Sequence, residues 1–316
     1  MTFFETYFFY TNTMKTILIT GGTGLLGMRI SFLLKEKGFT VRHLSRTENL
    51  NAIYPAYKWD LNAQTIDPKA LDEVDGIIHL AGAGIADSRW TKSRKKAILD
   101  SRINSSKLLT KALKERADQP KVFVACSAVG YYGNRKDTIL DEKASPGTCF
   151  MSDVCVKWEQ SVEGIRSIGI RTPIIRVGIV LSTKGGALPK LNMTYPLRVG
   201  SYFGNGQQYY PWIHLDDICQ IFIKALLNDK MVGIYNGTAP SPVTNKQLAQ
   251  AISKAHHQKT LLVPAPSFAA KTLLGEMSAV VLNSTRAIPK ALQEMQHTFQ
   301  FSDLIPALED LFKRKL

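Results

Sequence analysis

Three glycines at three-residue spacing, Gly21, Gly24 and Gly27, stand directly behind the apolar run Thr16-Ile17-Leu18-Ile19-Thr20. Such a run suits a buried parallel strand, and Leu26, Ile30, Leu33 and Leu34 then recur at helical spacing as far as Lys37-Gly38. The sequence therefore predicts strand, glycine loop and helix, the context in which a helix N-terminus receives a pyrophosphate. Gly21 permits the tight turn, Gly24 lets the backbone approach the phosphates, and Gly27 allows the helix to pack closely on the strand. Thr23, Leu25 and Leu26 complete the loop and the first helical turn.

Further polar residues are expected on the same edge. A second predicted strand, Thr40 to Ser45, ends in Ser45-Arg46 about 20 residues beyond the loop, where a dinucleotide's adenosine ribose is read. The planar fork of Arg46 suits a 2′-phosphate and favours NADP(H), while Glu48 keeps NAD(H) open as the lesser reading. Asp60, closing a short third strand, is placed either to accept from an adenine or to cap a turn. His79-Leu80-Ala81-Gly82 closes a fourth strand with small residues that let a nucleotide lie close.

The elements that must hold these residues follow from the alternation of patterns. A helix over Ser93 to Arg116, a strand over Lys121 to Ser127, a helix over Met151 to Ser167 and a strand over Arg171 to Val180 continue the rhythm. Strands alternating with helices predict an α/β fold, a Rossmann-type doubly wound parallel sheet. After Leu181 the rhythm changes: Ser182 to Pro211 reads as loops over a cleft, and Asp216 to Leu227 and Gly233 to Asn236 return to the sheet. Helical stretches near Thr244 to Ala255, Ser267 to Leu282 and Asp303 to Lys313 predict a small, mostly helical C-terminal cap. The expected division is a dinucleotide-binding domain over 14–181, rejoined by 214–237, with a substrate-binding cap from 182–213 and 238–316. Residues 1–13 read as an N-terminal extension that need not be ordered, because Met14 directly precedes the first strand signal.

Composition narrows the function class. The 316 residues carry 40 Lys+Arg against 26 Asp+Glu, a formal charge of +14, which allows a nucleic-acid, membrane-surface or polyanionic small-molecule partner. The basic run Arg89 to Lys96 is short, and no nucleic-acid-binding motif accompanies it. No apolar run approaches the roughly 18 residues of a membrane span. The four cysteines, Cys126, Cys149, Cys155 and Cys219, have neither metal-ligand spacing nor the density of a disulfide scaffold, so no metal is expected and the expected compartment is the reducing cytoplasm.

The G-x-x-G-x-x-G spacing resembles the short-chain dehydrogenase/reductase superfamily. Several segments together narrow that likeness: Ser127-Ala128-Val129-Gly130-Tyr131-Tyr132-Gly133, Cys155 with Trp158-Glu159, Arg89-Trp90, Ser101-Arg102, Gly204-Asn205-Gly206-Gln207 and Trp212-Ile213-His214-Leu215-Asp216-Asp217. They resemble an atypical extended branch of the NAD-dependent epimerase/dehydratase family that carries a C-terminal domain of unknown function. The resemblance runs from about Met14 to the end and departs from the branch at His79, where Asn is common, and at Thr298, where Gly is usual. It implies a serine at the end of the fifth strand, matched by Ser127, and a Y-x-x-x-K pair on the next helix. That pair is absent, since Met151 stands at the tyrosine position and Cys155 at the lysine position.

With the pair missing, Tyr131 and Tyr132 are the candidates for moving a proton beside Ser127, or else pack as aromatics over the cofactor. Cys155 is read as a buried thiol. Arg89, Trp90, Arg102, Trp212 and His214 are expected along the substrate cleft, where Arg89, Arg102 and Arg176 could clamp an anion, and Asp216 or Asp217 is expected as a helix N-cap. The favoured expectation is an NADP(H)-dependent oxidoreductase or epimerase-like enzyme acting on a small molecule, without nucleic-acid or membrane partners. The competing one is a non-catalytic NADP(H)-binding redox sensor or scaffold. By analogy with the superfamily, a homodimer is a further expectation.

Overall fold

A computed structural model describes residues 14–314; the N-terminal extension therefore lies outside the described residues. The first strand, β1 (Thr16–Thr20), is buried throughout and leads through the glycines into α1 (Leu25–Glu36). There follow β2 (Thr40–Ser45), β3 (Ala56–Asp60), β4 (Thr65–Ile66), β5 (Gly76–His79), α2 (Lys92–Lys114), β6 (Val122–Ala128), α3 (Phe150–Ser161), β7 (Ile174–Val177), α4 (Leu215–Leu227) and β8 (Ile234–Gly237). The sheet runs β8-β7-β6-β5-β1-β2-β3-β4. Every pairing in it is parallel except β3 with β4. The order reverses between β1 and β5, the position at which open α/β sheets open a crevice beyond their strand ends.

Alternation along the strands divides the core. Ile17 and Ile19 of β1 join Ile30 and Leu34 of α1 and Ile218 and Phe222 of α4 on one face. Leu18 joins Leu108, Leu109 and Leu113 of α2 on the other. With both faces covered, β1 reads as a continuous apolar run, which is why its bounds were legible.

Two expected elements of the sheet domain are broken. The helix expected over Met151 to Ser167 ends at Ser161 and resumes as Glu163–Ser167, where Gly164 packs against the side chain of Thr110. The strand expected over Arg171 to Val180 stops at Val177; Ile179–Leu181 then leaves the sheet to pair with Trp212–His214.

The C-terminal part has its own core. Leu181, Tyr195 and Trp212 pack with Leu248 and Ile252 of α5 (Asn245–Ala255) and Leu304 and Leu308 of α6 (Leu304–Lys313). The stretch read as loops contains Val199–Phe203, which pairs in parallel with Leu261–Ala265, a strand that periodicity did not show. The helix expected over Ser267 to Leu282 is interrupted after Leu274 by Gly275, whose φ of +60° ends a helix without strain. Among the described residues no helix is long and apolar enough to cross a membrane.

Candidate functional site

The β1–α1 loop is shaped by close backbone approach. Gly21 adopts φ +68°, and a Cβ there would stand 3.1 Å from the backbone of Leu80 and Ala81. A Cβ on Gly27 would drive into the Gly21 carbonyl. The N-cap of α1 is Gly24, with no side-chain cap and no acidic residue in the first turn. The first-turn N–H groups of Leu25, Leu26 and Gly27 therefore have no side-chain acceptor among the described residues and carry the positive end of the helix dipole. The loop fits the pyrophosphate of a dinucleotide, since both its shape and its unpaired donors match that group.

Side chains hold the loop from behind. Thr20 Oγ1 accepts from the N–H groups of Leu80 and Ala81, at 3.2 and 3.1 Å, so its own hydrogen goes to His79 Nδ1 at 2.8 Å. His79 Nε2 then donates towards Ser105 and Ser106, whose hydroxyls in turn donate to the Arg102 carbonyl. Burial holds the ring neutral, lowering its pKa to about 3, with Arg102 adding to the effect. His43 packs against Gly22 and bonds Ser31 Oγ at 2.8 Å; burial lowers its pKa to about 4.

A cleft of about 990 Å³ opens over this loop. Gly21, Thr23 and Gly24 line it together with Ser45, Arg46, Asp60, Leu80, Ala81 and Gly82. Leu25 and Leu26 stand beside it, half-buried and packed on the core. Arg46 is exposed and makes no ion pair among the described residues. Asp60 caps a turn, accepting from the N–H groups of Asn62 and Ala63 at 2.8 and 3.1 Å, and still faces the cleft.

At the β6 end the arrangement is different. Ser127 is buried and donates to Glu159 Oε1 at 2.7 Å. Glu159 receives both Nε and Nη2 of Arg176 at 2.8 Å, a bidentate pair. Arg176 Nη1 donates to the Tyr132 hydroxyl at 3.0 Å, and that hydroxyl donates to Asn236 Oδ1 at 2.7 Å. Asn236 N donates to Glu142 Oε1 at 3.0 Å. Tyr132 is fully buried, and burial pushes its pKa up to about 12. Tyr131 is half-buried, with the Arg176 guanidinium 3.4 Å from its ring centre.

This placement brings Ser127, Tyr131 and Tyr132 together but corrects several expected roles. Tyr132 is an interior group whose hydrogen bonds are already made, so it does not face the cleft. Arg176 is no free anion clamp, because Glu159 neutralises it. His214 is buried: its Nδ1 accepts from Asp216 N, making it the N-cap of α4 in place of either aspartate, and Nε2 faces Asp310 at 3.1 Å. Asp216 pairs with Arg29 and Arg314 instead.

Trp212 is buried in the C-terminal core and donates to the Ser241 carbonyl. Arg89 donates to the carbonyls of Thr272 and Leu273 and so caps the helix Ser267–Leu274. Trp90 packs with Ile98, Val154 and Met277. Arg102 lies behind Gly82 and does not line the cleft. Glu159 was quoted in the sequence only as part of a motif; its role was missed, although an acid four residues after buried Cys155 on the same helix face was a signal.

Known proteins resemble this chain in sequence and in fold. The sequence profile of the NAD dependent epimerase/dehydratase family matches residues 17–236, and that of a domain of unknown function, DUF1731, matches 265–311. An epimerase family protein of Staphylococcus aureus (strain N315) is 34% identical over 302 residues, 95% of this chain and all of the relative. One of Mycobacterium bovis is 33% identical over 293 residues, 92% of this chain and 96% of the relative. The structure of a human epimerase family protein with NADPH superposes with a TM-score of 0.84 at 28% identity, over 95% of this chain and all of that one.

Proposed function

The chain belongs to the NAD dependent epimerase/dehydratase family, and from that membership we propose an NADP(H)-dependent oxidoreductase or epimerase-like function on a small molecule. The observation that carries the cofactor choice is Arg46, exposed and without an ion-pair partner among the described residues, in the same cleft as Gly21 and Gly24. The NADPH in the human relative supports the same choice. The loop residues Gly21 to Gly27 would hold the pyrophosphate, Arg46 the 2′-phosphate, and Leu80, Ala81 and Gly82 the floor under the nucleotide. When bound, a nicotinamide dinucleotide supplies hydride-transfer chemistry.

Titration with NADPH and NADH tests the choice. NADPH should bind more tightly by about tenfold to a hundredfold, the size of a charge-assisted contact, and Arg46→Ala should erase the difference. Equal affinities in the wild type would sink the 2′-phosphate assignment.

On the catalytic side, Ser127 would orient a reacting oxygen only by giving up its bond to Glu159, and Tyr131 is the phenol on the more accessible side of Arg176. A second reading, a non-catalytic NADP(H)-binding redox sensor, is favoured by one observation. The hydroxyls of Ser127 and Tyr132 are both bound into a buried network, and Met151 and Cys155 stand where the family's Tyr and Lys are expected. Following NADPH oxidation across a panel of carbonyl compounds and sugar nucleotides separates the two. Turnover supports the enzyme; tight binding without turnover across the panel supports the sensor.

A further inference from the structure

Two arginines are buried among the described residues, and only one is neutralised. Arg176 has Glu159. Arg102, 6% exposed, has no carboxylate: Nη1 donates to the carbonyls of Ala83 at 3.1 Å and Ile98 at 2.9 Å, and Nε is buried without a partner. Its guanidinium lies 4.7 Å over the Trp158 ring. None of the titratable groups around it supplies a negative charge. Burial holds His79 neutral and pushes the thiols of Cys126 and Cys155 up to about 12. Arg94, the other nearby cation, is paired with Asp87. A buried guanidinium without an anion is costly to retain, and here no carboxylate among the described residues offsets its charge.

That charge sits next to the cleft at a definable place. A Cβ on Gly82 would be 3.0 Å from Arg102 Cζ, so a single glycine separates the guanidinium from the cleft floor. Arg46 and Asp60 end β2 and β3 on one side of β1, whereas Gly82 follows β5 and Cys126 belongs to β6 on the other. A dinucleotide with its pyrophosphate on Gly21 to Gly24 and its adenosine over β2 and β3 extends its nicotinamide half over β5 and β6. Arg102 is therefore on the nicotinamide side.

The two redox forms differ there by one charge: the oxidised ring is a cation and the reduced ring is neutral. We propose that Arg102, resting on the NADP(H) reading above, is a positioning residue whose unneutralised charge makes the site select reduced NADPH over NADP⁺. A like charge held behind a single glycine in a partly screened interior repels a cation enough for a preference on the order of tenfold. The adenosine half is outside that effect.

The test is equilibrium binding of NADPH, NADP⁺ and adenosine 2′,5′-bisphosphate to the full chain, wild type against Arg102→Met and Arg102→Lys, followed by tryptophan fluorescence or calorimetry. In the wild type NADPH should bind on the order of tenfold more tightly than NADP⁺. Arg102→Met should bring that ratio close to one while the bisphosphate affinity stays within about twofold, and Arg102→Lys, which keeps the charge, should preserve the ratio. An unchanged ratio in Arg102→Met overturns the proposal. So does a parallel loss for all three ligands, which would make Arg102 only a clamp on the Ala83 carbonyl. If the wild type binds neither dinucleotide, the NADP(H) reading itself fails, an outcome distinct from binding with an unaltered ratio.

Discussion

The glycine loop and the β6 end occupy one sheet edge, yet they are built from different material. The loop is backbone: glycines, uncapped helix N–H groups, and side chains such as His43 and Thr20 that support it from behind. The β6 end is side chain: Ser127, Glu159, Arg176, Tyr132, Asn236 and Glu142 joined into one buried polar network. A backbone site is local in the chain and survives most exchanges of surrounding side chains. A buried charged network draws on residues more than 100 positions apart and cannot lose one member without stranding another.

The largest expected effect breaks the second region. Glu159→Ala leaves the guanidinium of Arg176 buried without its carboxylate, which should destabilise the fold by about 3–5 kcal/mol. Urea unfolding monitored by fluorescence measures it, with Arg46→Ala as the reference from the first region, expected within about 0.5 kcal/mol because Arg46 is exposed. If both variants unfold at the same denaturant concentration, the contrast between the regions is wrong.

The same contrast explains what the sequence disclosed. Gly21, Gly24, Gly27 and Ser45-Arg46 were legible because strand, loop and helix are contiguous and glycine spacing reports backbone geometry directly. The bounds of Thr16–Thr20 were legible because a parallel strand covered on both faces reads as an apolar run. The Glu159–Arg176 pair was not, since nothing local in either segment says which acid meets which base. His214 and Trp212 were misplaced for a related reason. Both belong to a motif close to the cleft in sequence, but the pairing of Trp212–His214 with Ile179–Leu181 turns them into the core and helix start.

Acid sharpens the comparison from the loop side. His43 has a pKa of about 4 in the fold against 6.5 unfolded, because burial disfavours the cation. The unfolded chain thus binds its proton first, and the associated stability, complete above pH 6.5, is lost as pH falls towards 4. The slope is at most about 1.4 kcal/mol per pH unit for one such group. His79, His214 and His297 are shifted the same way and add to the wild-type slope. Denaturant titrations from pH 7 to 4 should therefore show stability falling, and His43→Asn, which cannot titrate, should flatten the fall by about one proton's worth. An unaltered slope would mean that His43 is protonated behind Gly22.

The smallest effects separate two adjacent tyrosines. Tyr132→Phe removes the group that donates to Asn236 Oδ1 and accepts from Arg176 Nη1, leaving both buried and short of a partner, at a cost of about 1–3 kcal/mol. Tyr131→Phe keeps the ring that stacks on Arg176 and deletes a hydroxyl to which the structure gives no hydrogen bond among the described residues. Its stability should stay within about 0.5 kcal/mol of wild type. Opposite behaviour is expected in function. If the chain turns over a carbonyl substrate, Tyr131→Phe should lower kcat and alter its pH profile, whereas Tyr132→Phe should act through stability alone. Equal losses of stability in the two variants would place Tyr131 inside the network. Turnover unchanged in Tyr131→Phe would remove the tyrosine proposal and leave water to carry the proton.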